Sequence, residues 1–396
     1  MPERAPSPYT PLRKHSGAHV PGPIQACAAL ALGNNRAILD HIVSDPLAEL
    51  TAELDDLGVD APAIRRSIER SLQQQRRILE GLPARLSAPS EYGLVVFGST
   101  ARGEATSESD VDWTLLIDGQ ARAEHRAIAH DIEKTLRSLK MVKPRAGGAF
   151  GSMAFSHDII HKIGGEGDSN RNLTQRTLLI LESVSIGGDV VRRRVIRLVL
   201  QRYVQDETSF LTDMGKKHRI PRFLLNDIVR FWRTIAVDYA SKRIERGKEG
   251  WAIRNAKLRF SRKLLFVAGF LVCMAPSLAP TEKLKSASTP DEVEEALVDL
   301  LVQYQDRVPL TIVVRMMRKL GDDALARDLL EAYDSFVNLV DTERESLTKV
   351  DSAEVGGDPV FARVRRESHR FQGALTKLFF ESSEDLTELT KRYGVF

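Results

Sequence analysis

Two cysteines in 396 residues, Cys27 and Cys273, exclude a disulfide framework and, with no CxxC spacing, a thiolate zinc centre. Long apolar runs are missing as well. The longest, "LLFVAGFLVCMA" (264–275), is 12 residues, against the ~20 of a membrane span, and is expected to be a buried helix. The N-terminus "MPERAPSPYTPLRKHSGAHVPGP" has no apolar core, so no signal peptide is expected. Together these absences predict a soluble, cytoplasmic protein with no membrane partner. Several catalytic signatures are absent too: no Gly-rich run ends in Gly-Lys-Ser/Thr, and there is no GxGxxG, no GxSxG and no HExxH. His157 and His161 share helical spacing but have no further ligand nearby, so zinc is not expected. A net charge of +3 is too small to imply a nucleic-acid partner by itself.

What remains has the composition of an ordinary globular protein, 42% hydrophobic and 28% charged. Residues 1–23 are proline-rich without an apolar period and read as a disordered tail. Residues 24–90 read as a helical N-terminal extension. Within it "APAIRRSIERSLQQQRRILEGL" (61–82) places Ile64, Ile68, Leu72 and Ile78 on one face, with Pro62 at the start and the break "SAPS" (87–90) beyond. Residues 91–190 carry an α/β alternation: strand 92–98, polar loop or short helix 99–109, strand 111–117, amphipathic helix 123–139, then a short strand and glycine turn over 141–151. The stretch 152–165 fits both periods and is read as a helix by a small margin. From about 172, and throughout 191–396, the pattern is almost wholly helical, with breaks at Gly187–Gly188, Pro221, Gly250, Pro276–Pro280 and Gly356–Pro359. The predicted fold is α+β: a small mixed sheet with a helical extension before it and a large all-helical region after it.

The chemistry concentrates in "GSTARGEATSESDVDW" (98–113). On a strand, residues i and i+2 share a face, so Asp110 and Asp112 present two carboxylates together. Such a pair repels itself unless a cation lies between, and Mg²⁺ takes oxygen ligands together with substrate phosphates. Gly98 permits close backbone approach, and its turn with Ser99 can cradle phosphate. A phosphate cradle beside a metal-binding pair is an arrangement for phosphoryl or nucleotidyl transfer.

The stretch resembles the active-site signature of the DNA polymerase β-type nucleotidyltransferase superfamily, with its nearest likeness to the uridylyltransferases of the nitrogen-regulatory PII protein. Gly98, Arg102, Gly103, Glu104, Ser109, Asp110 and Asp112 occupy the pattern without a gap, and Ser99 stands where those enzymes have a second glycine. The likeness covers 92–118 and extends weakly to "TLLILESVSIGGD" (177–189). It implies a Mg²⁺-dependent (or Mn²⁺-dependent) enzyme, with Asp110 and Asp112 as metal ligands. Gly98, Ser99, Arg102 and Ser109 would lie against an NTP such as ATP, and Glu104 would cap the turn. The superfamily carries a third catalytic carboxylate on a later strand. Asp158 fills that place if "SHDIIH" is a strand, with Asp168 and Glu182 as alternatives.

Residues 214–263 hold fifteen Lys or Arg against four Asp or Glu, a surplus of eleven in a chain otherwise acidic. In the superfamily a helical region closes over the nucleotide, which implies triphosphate contacts from Arg230, Arg233, Lys257 and Arg262; an ordinary basic surface is the alternative. Trp232 fits a helix core better than a base platform, while Trp251 is open to either. The acceptor stays open between a protein hydroxyl, RNA and a second nucleotide. The rival reading is a catalytically silent nucleotide-sensing or RNA-binding module on the same fold.

Overall fold

Two helices lead into the sheet. Helix α1 (Pro46–Asp56) buries Leu47, Leu50 and Leu54, and α2 (Pro62–Gly81) starts at Pro62 and buries Ile64, Ile68 and Ile78. The computed structural model describes residues 46–83, 86, 91–141, 148–205, 219–245, 250–350 and 357–394. The predicted tail, residues 24–45, the "SAPS" break and the basic residues just before Arg219 lie outside those described.

Strand β1 (Tyr92–Phe97) runs directly into the short helix α3 (Gly98–Arg102), and β2 (Asp112–Ile117) returns antiparallel to β1. The register pairs Phe97 with Asp112, which sets the glycine turn beside the aspartate. Helix α4 (Ala123–Ser138) follows, matching its apolar period. Strand β3 (Ser152–Phe155) then pairs parallel to β2 and is followed at once by α5 (Ser156–Ile160). The expected helix over 152–165 is therefore a strand that turns helical at Ser156: Ala154 and Phe155 extend against β2, while Ile159 and Ile160 are buried on a helix. After α6 (Asn170–Leu181), a second correction appears. Val184–Ile186, inside the span read as almost wholly helical, forms β4 antiparallel to β1. Three residues are too few to show a period, so the pairing with β1 decides. The mixed sheet has the order β3-β2-β1-β4.

The helical region comprises α7 (Val190–Gln205), α8 (Arg222–Glu245), α9 (Trp251–Lys257), α10 (Lys263–Leu278), α11 (Glu282–Ser286), α12 (Pro290–Val302), α13 (Pro309–Lys319), α14 (Asp323–Thr342), α15 (Arg344–Lys349), α16 (Pro359–Phe380) and α17 (Glu384–Tyr393). The chain is thus α+β, a small mixed sheet with an extensive helical region. Helix α10 contains the apolar run and is buried almost throughout. No helix among the described residues is long and apolar enough to cross a membrane.

Side chains alternate across the sheet as strand geometry requires. Leu94, Val96, Trp113, Leu115 and Ile117 pack against Ile128, Ile132 and Leu136 of α4. Val95, Phe97 and Leu116 face a second core that continues through α6, α7 and the later helices to Leu389. Asp112, in step with Leu116, belongs to this second face. Helix α2 joins the two parts: the Ile64 amide donates to Asp334 of α14 at 2.8 Å, and Arg70 reaches both Asp341 and the Ala105 carbonyl at 3.1 Å. Arg315 and Arg318 of α13 similarly hold Glu53 of α1.

Candidate active site

The glycine at the end of β1 is required by its surroundings. Gly98 has φ +68°, and a Cβ there would stand 2.9 Å from Asp112 Oδ2. The turn is braced from α2, where Ser67 donates to the Gly103 carbonyl at 2.7 Å and Gln75 to the Thr100 carbonyl at 2.9 Å. The Ala105 amide donates to Ser71 at 3.2 Å. Ser67, Ser71 and Gln75 are buried at i, i+4 and i+8, one polar stripe on the face of α2 that meets the motif.

Arg102 and Glu104 turn inward. Arg102 donates to Glu104 at 2.8 Å and pairs with Glu182, the residue just after α6. Tyr333 of α14 donates to Glu104 at 2.5 Å, and Ser261 also bonds Glu104. Burial alone would raise the Glu104 carboxyl, but Arg102 and these hydroxyls bring it below its usual value. Glu182 accepts the Gly98 amide, and burial holds its carboxyl above the usual range despite Arg102. Glu104 is thus part of a buried network rather than a simple cap.

The aspartates lie at the head of β2, Asp112 as its first residue and Asp110 just before it. Burial, then the charges of Asp110 and Glu182, push Asp112 up to about 7. A divalent cation relieves that conflict. No group of three His, Cys, Asp or Glu suited to a metal occurs among the described residues. Two carboxylates at the head of β2 are donors of the kind a hard cation such as Mg²⁺ takes, and it would complete its shell from substrate phosphate and water.

Both aspartates line a cleft of about 610 Å³ together with Gly98, Ser99, Arg102 and Glu182. Its opposite wall comes from α8, α9, α10 and α15 and carries Lys257, Arg262 and Arg344, with Phe150 and Phe231 among the apolar lining. Leu258–Arg262 forms a π-helical turn between α9 and α10. Residues five apart on an α-helix diverge by about 140°, whereas an i→i+5 turn sets them over one another. Lys257, Ser261 and Arg262 all line the cleft, and Ser261 also bonds Glu104. The Lys257 ammonium is held below its usual value by burial first and then by Arg344, with Asp110 opposing.

Four residues expected at the site are placed elsewhere. Asp158, expected as the third catalytic carboxylate, sits in the first turn of α5 and pairs with Lys162 at 2.5 Å. It does not line the cleft: β3 runs parallel to β2 from Ser152 opposite Thr114 to Phe155 opposite Ile117, and so carries the chain away from the aspartates at the head of β2. Ser109 accepts the Thr106 amide at 2.9 Å and shapes the loop. Arg230 donates to Asp168 at 2.9 Å, joining a buried network in which Arg176 binds Asp168, Asp227 and Tyr203 and locks α6 to α7 and α8. Arg233 is exposed and does not line the cleft. Of the alternatives for the third acid, Asp168 belongs to the Arg176 network and Glu182 lines the cleft. Trp232 packs on Phe266 and Trp251 on Phe361, and neither lines the cleft. The sequence reading missed Arg171 and Arg344 and held Arg254 only as part of the basic segment; Arg344 is brought in by α15 from far beyond the motif with no local signal.

Residues 46–142 match the model of a family described as "Putative nucleotidyltransferase DUF294". The match supports a nucleotidyltransferase-type family and spans α1 to α4, less than half of the chain. It includes the glycine turn and both aspartates but none of the cations of the helical wall. No curated protein matches the chain significantly.

Proposed function

We propose that this protein is a metal-dependent nucleotidyltransferase that moves an NMP from an NTP to an acceptor hydroxyl. The observation that carries the reading is the contact of Gly98 with Asp112, opposite Lys257 and Arg262 in one cleft. The volume of about 610 Å³ lies within the usual range for small-molecule sites. Asp110 and Asp112 would hold Mg²⁺, or Mn²⁺, which supplies charge neutralisation at the attacking and leaving oxygens. The Gly98–Ser99 turn carries the β and γ phosphates, Lys257 and Arg262 neutralise them from the helical wall, and the base rests against Phe150 and Phe231. The acceptor oxygen forms a bond to the α-phosphorus, the bond from that phosphorus to the bridging oxygen breaks, pyrophosphate leaves, and the hydroxyl proton passes to solvent. Arg102 and Glu182 keep the turn in place rather than touching the phosphates.

One observation favours a silent, nucleotide-sensing module as the second reading: Glu182 is paired with Arg102 instead of standing free beside Asp110 and Asp112. Nucleotide binding is common to both readings, so pyrophosphate release separates them. The wild type should release pyrophosphate from at least one NTP with Mg²⁺ and a lysate-derived acceptor fraction, and Asp110→Asn should not. Binding without release under all conditions would select the silent module.

A further inference from the structure

Arg344, the first residue of α15, enters the cleft from a helix that follows the motif by more than two hundred residues. It is firmly placed: the Gly250 amide donates to the Thr348 carbonyl at 2.9 Å, fixing α15 to the start of α9, the helix that carries Lys257. Its guanidinium pairs with Glu108 at 2.7 Å. Glu108 is 69% exposed and sits on the loop that leads into Asp110, at the other end of the motif from Gly98. The Gly98 end of the site abuts Asp112, whereas the pair with Glu108 sets Arg344 at the Asp110 end of the motif. A guanidinium that lines the cleft and is balanced at the rim by an exposed carboxylate forms a place for an anion. An exposed ion pair is weak, while arginine offers phosphate a bidentate, charge-assisted contact.

In-line displacement puts the leaving pyrophosphate and the attacking oxygen on opposite sides of the α-phosphorus. With pyrophosphate on the Gly98–Ser99 turn, the acceptor approaches from the Asp110 side, where Arg344 stands. We infer that Arg344 forms a second anion subsite that binds a phosphate of the acceptor, so that the acceptor is a phosphorylated small molecule, of the nucleotide or sugar-phosphate kind. The inference rests on the nucleotidyltransferase reading and narrows it. The cleft volume is that of a small-molecule site.

The test is calorimetric titration of the full chain, saturated with Mg²⁺ and whichever α,β-methylene NTP analogue binds. The titrants are AMP, UMP, glucose 6-phosphate and glycerol 3-phosphate, each against its dephosphorylated form. At least one phosphorylated compound should bind about tenfold or more tighter than its partner. Arg344→Gln should abolish that preference while analogue affinity stays within about twofold. Glu108→Gln breaks the same ion pair from the other side, so it should leave the preference intact or strengthen it. No preference in any pair overturns the inference. So does a tenfold loss of analogue affinity in Arg344→Gln, which would assign Arg344 to the triphosphate. Equal damage from Glu108→Gln would make the ion pair structural, and an oligoribonucleotide that outcompetes every monophosphate would make the acceptor RNA. Failure of every analogue to bind the wild type instead defeats the nucleotidyltransferase reading itself.

Discussion

At the residue scale the site rests on one contact, Gly98 against Asp112. Gly98→Ala introduces both a left-handed backbone for an L residue and a Cβ at 2.9 Å from the carboxylate. It should cost roughly 1–3 kcal/mol in urea denaturation and reduce turnover by at least about tenfold through displacement of Asp112. Unchanged turnover would detach the turn from the chemistry. Asp112 also makes a pH prediction. Its folded-state value, raised to about 7, lies above that of the unfolded chain, so the folded state holds a proton that the unfolded state has released. Below the unfolded value the two states match; stability falls as pH rises through 4 to 7, and the full penalty, on the order of a few kcal/mol, remains above that. Asp112→Asn should therefore stabilise the metal-free protein at pH 8 and have little effect near pH 4. Mg²⁺ should raise the melting temperature of the wild type at pH 8 but not that of the variant. Equal effects of Asp112→Asn at both pH values would show that the carboxyl is not raised.

At the element scale, the helical region reaches the motif through hydroxyls as well as cations. Tyr333 of α14 donates to Glu104, which pairs with Arg102. Tyr333→Phe keeps the ring but leaves a buried carboxylate one donor short. It should cost about 1–3 kcal/mol and lower turnover with little change in KM, because the cleft walls stay in place. A variant as stable and active as wild type would separate α14 from the site. Such couplings explain what the sequence could and could not disclose. Strands β1 and β2, helix α4 and the aspartates were legible because each carries its own period or spacing within a few residues. The switch from β3 to α5 was not, since Phe155, Ile159 and Ile160 satisfy both periods until the partner strand is known. Three-residue β4 has no period at all. Lys257 and Arg262 were legible as charges, but the π turn between α9 and α10 was not. Arg230 and Arg233 carried the same charge signal and are placed away from the cleft, one on Asp168 and one on the surface. Arg344 had no local signature, because only tertiary packing brings α15 to the motif.

At the scale of the whole molecule, the sheet and helices share one core. Val95, Phe97 and Leu116 pack into the same cluster as Phe260, Phe336 and Phe371, and the Phe260 ring lies against the other two rings. Residues 46–142, the span of the family match, hold β1 and β2 but neither β3 nor β4, and would expose that whole face. Expressed alone, this fragment should be insoluble or lack a cooperative thermal transition by circular dichroism. The described helices beyond α4 are then part of the catalytic fold rather than an appended module. A cooperatively folding fragment would argue that the sheet and its flanking helices are self-sufficient. The same continuity predicts that substitutions in α14 and α15 reach the chemistry, as the Tyr333 and Arg344 variants test from different sides.

The central claim is that Asp110 and Asp112 serve nucleotidyl transfer. Its most direct measurement is incubation of the full chain with Mg²⁺ and each of the four α-³²P-labelled NTPs, with small-molecule, RNA and protein fractions as acceptors, beside the Asp110→Asn and Asp112→Asn variants. Label from at least one NTP should enter a product in a Mg²⁺-dependent manner, and both variants should lose at least about a hundredfold of the rate. Transfer that survives in both variants, or no transfer from any NTP to any fraction, would contradict it.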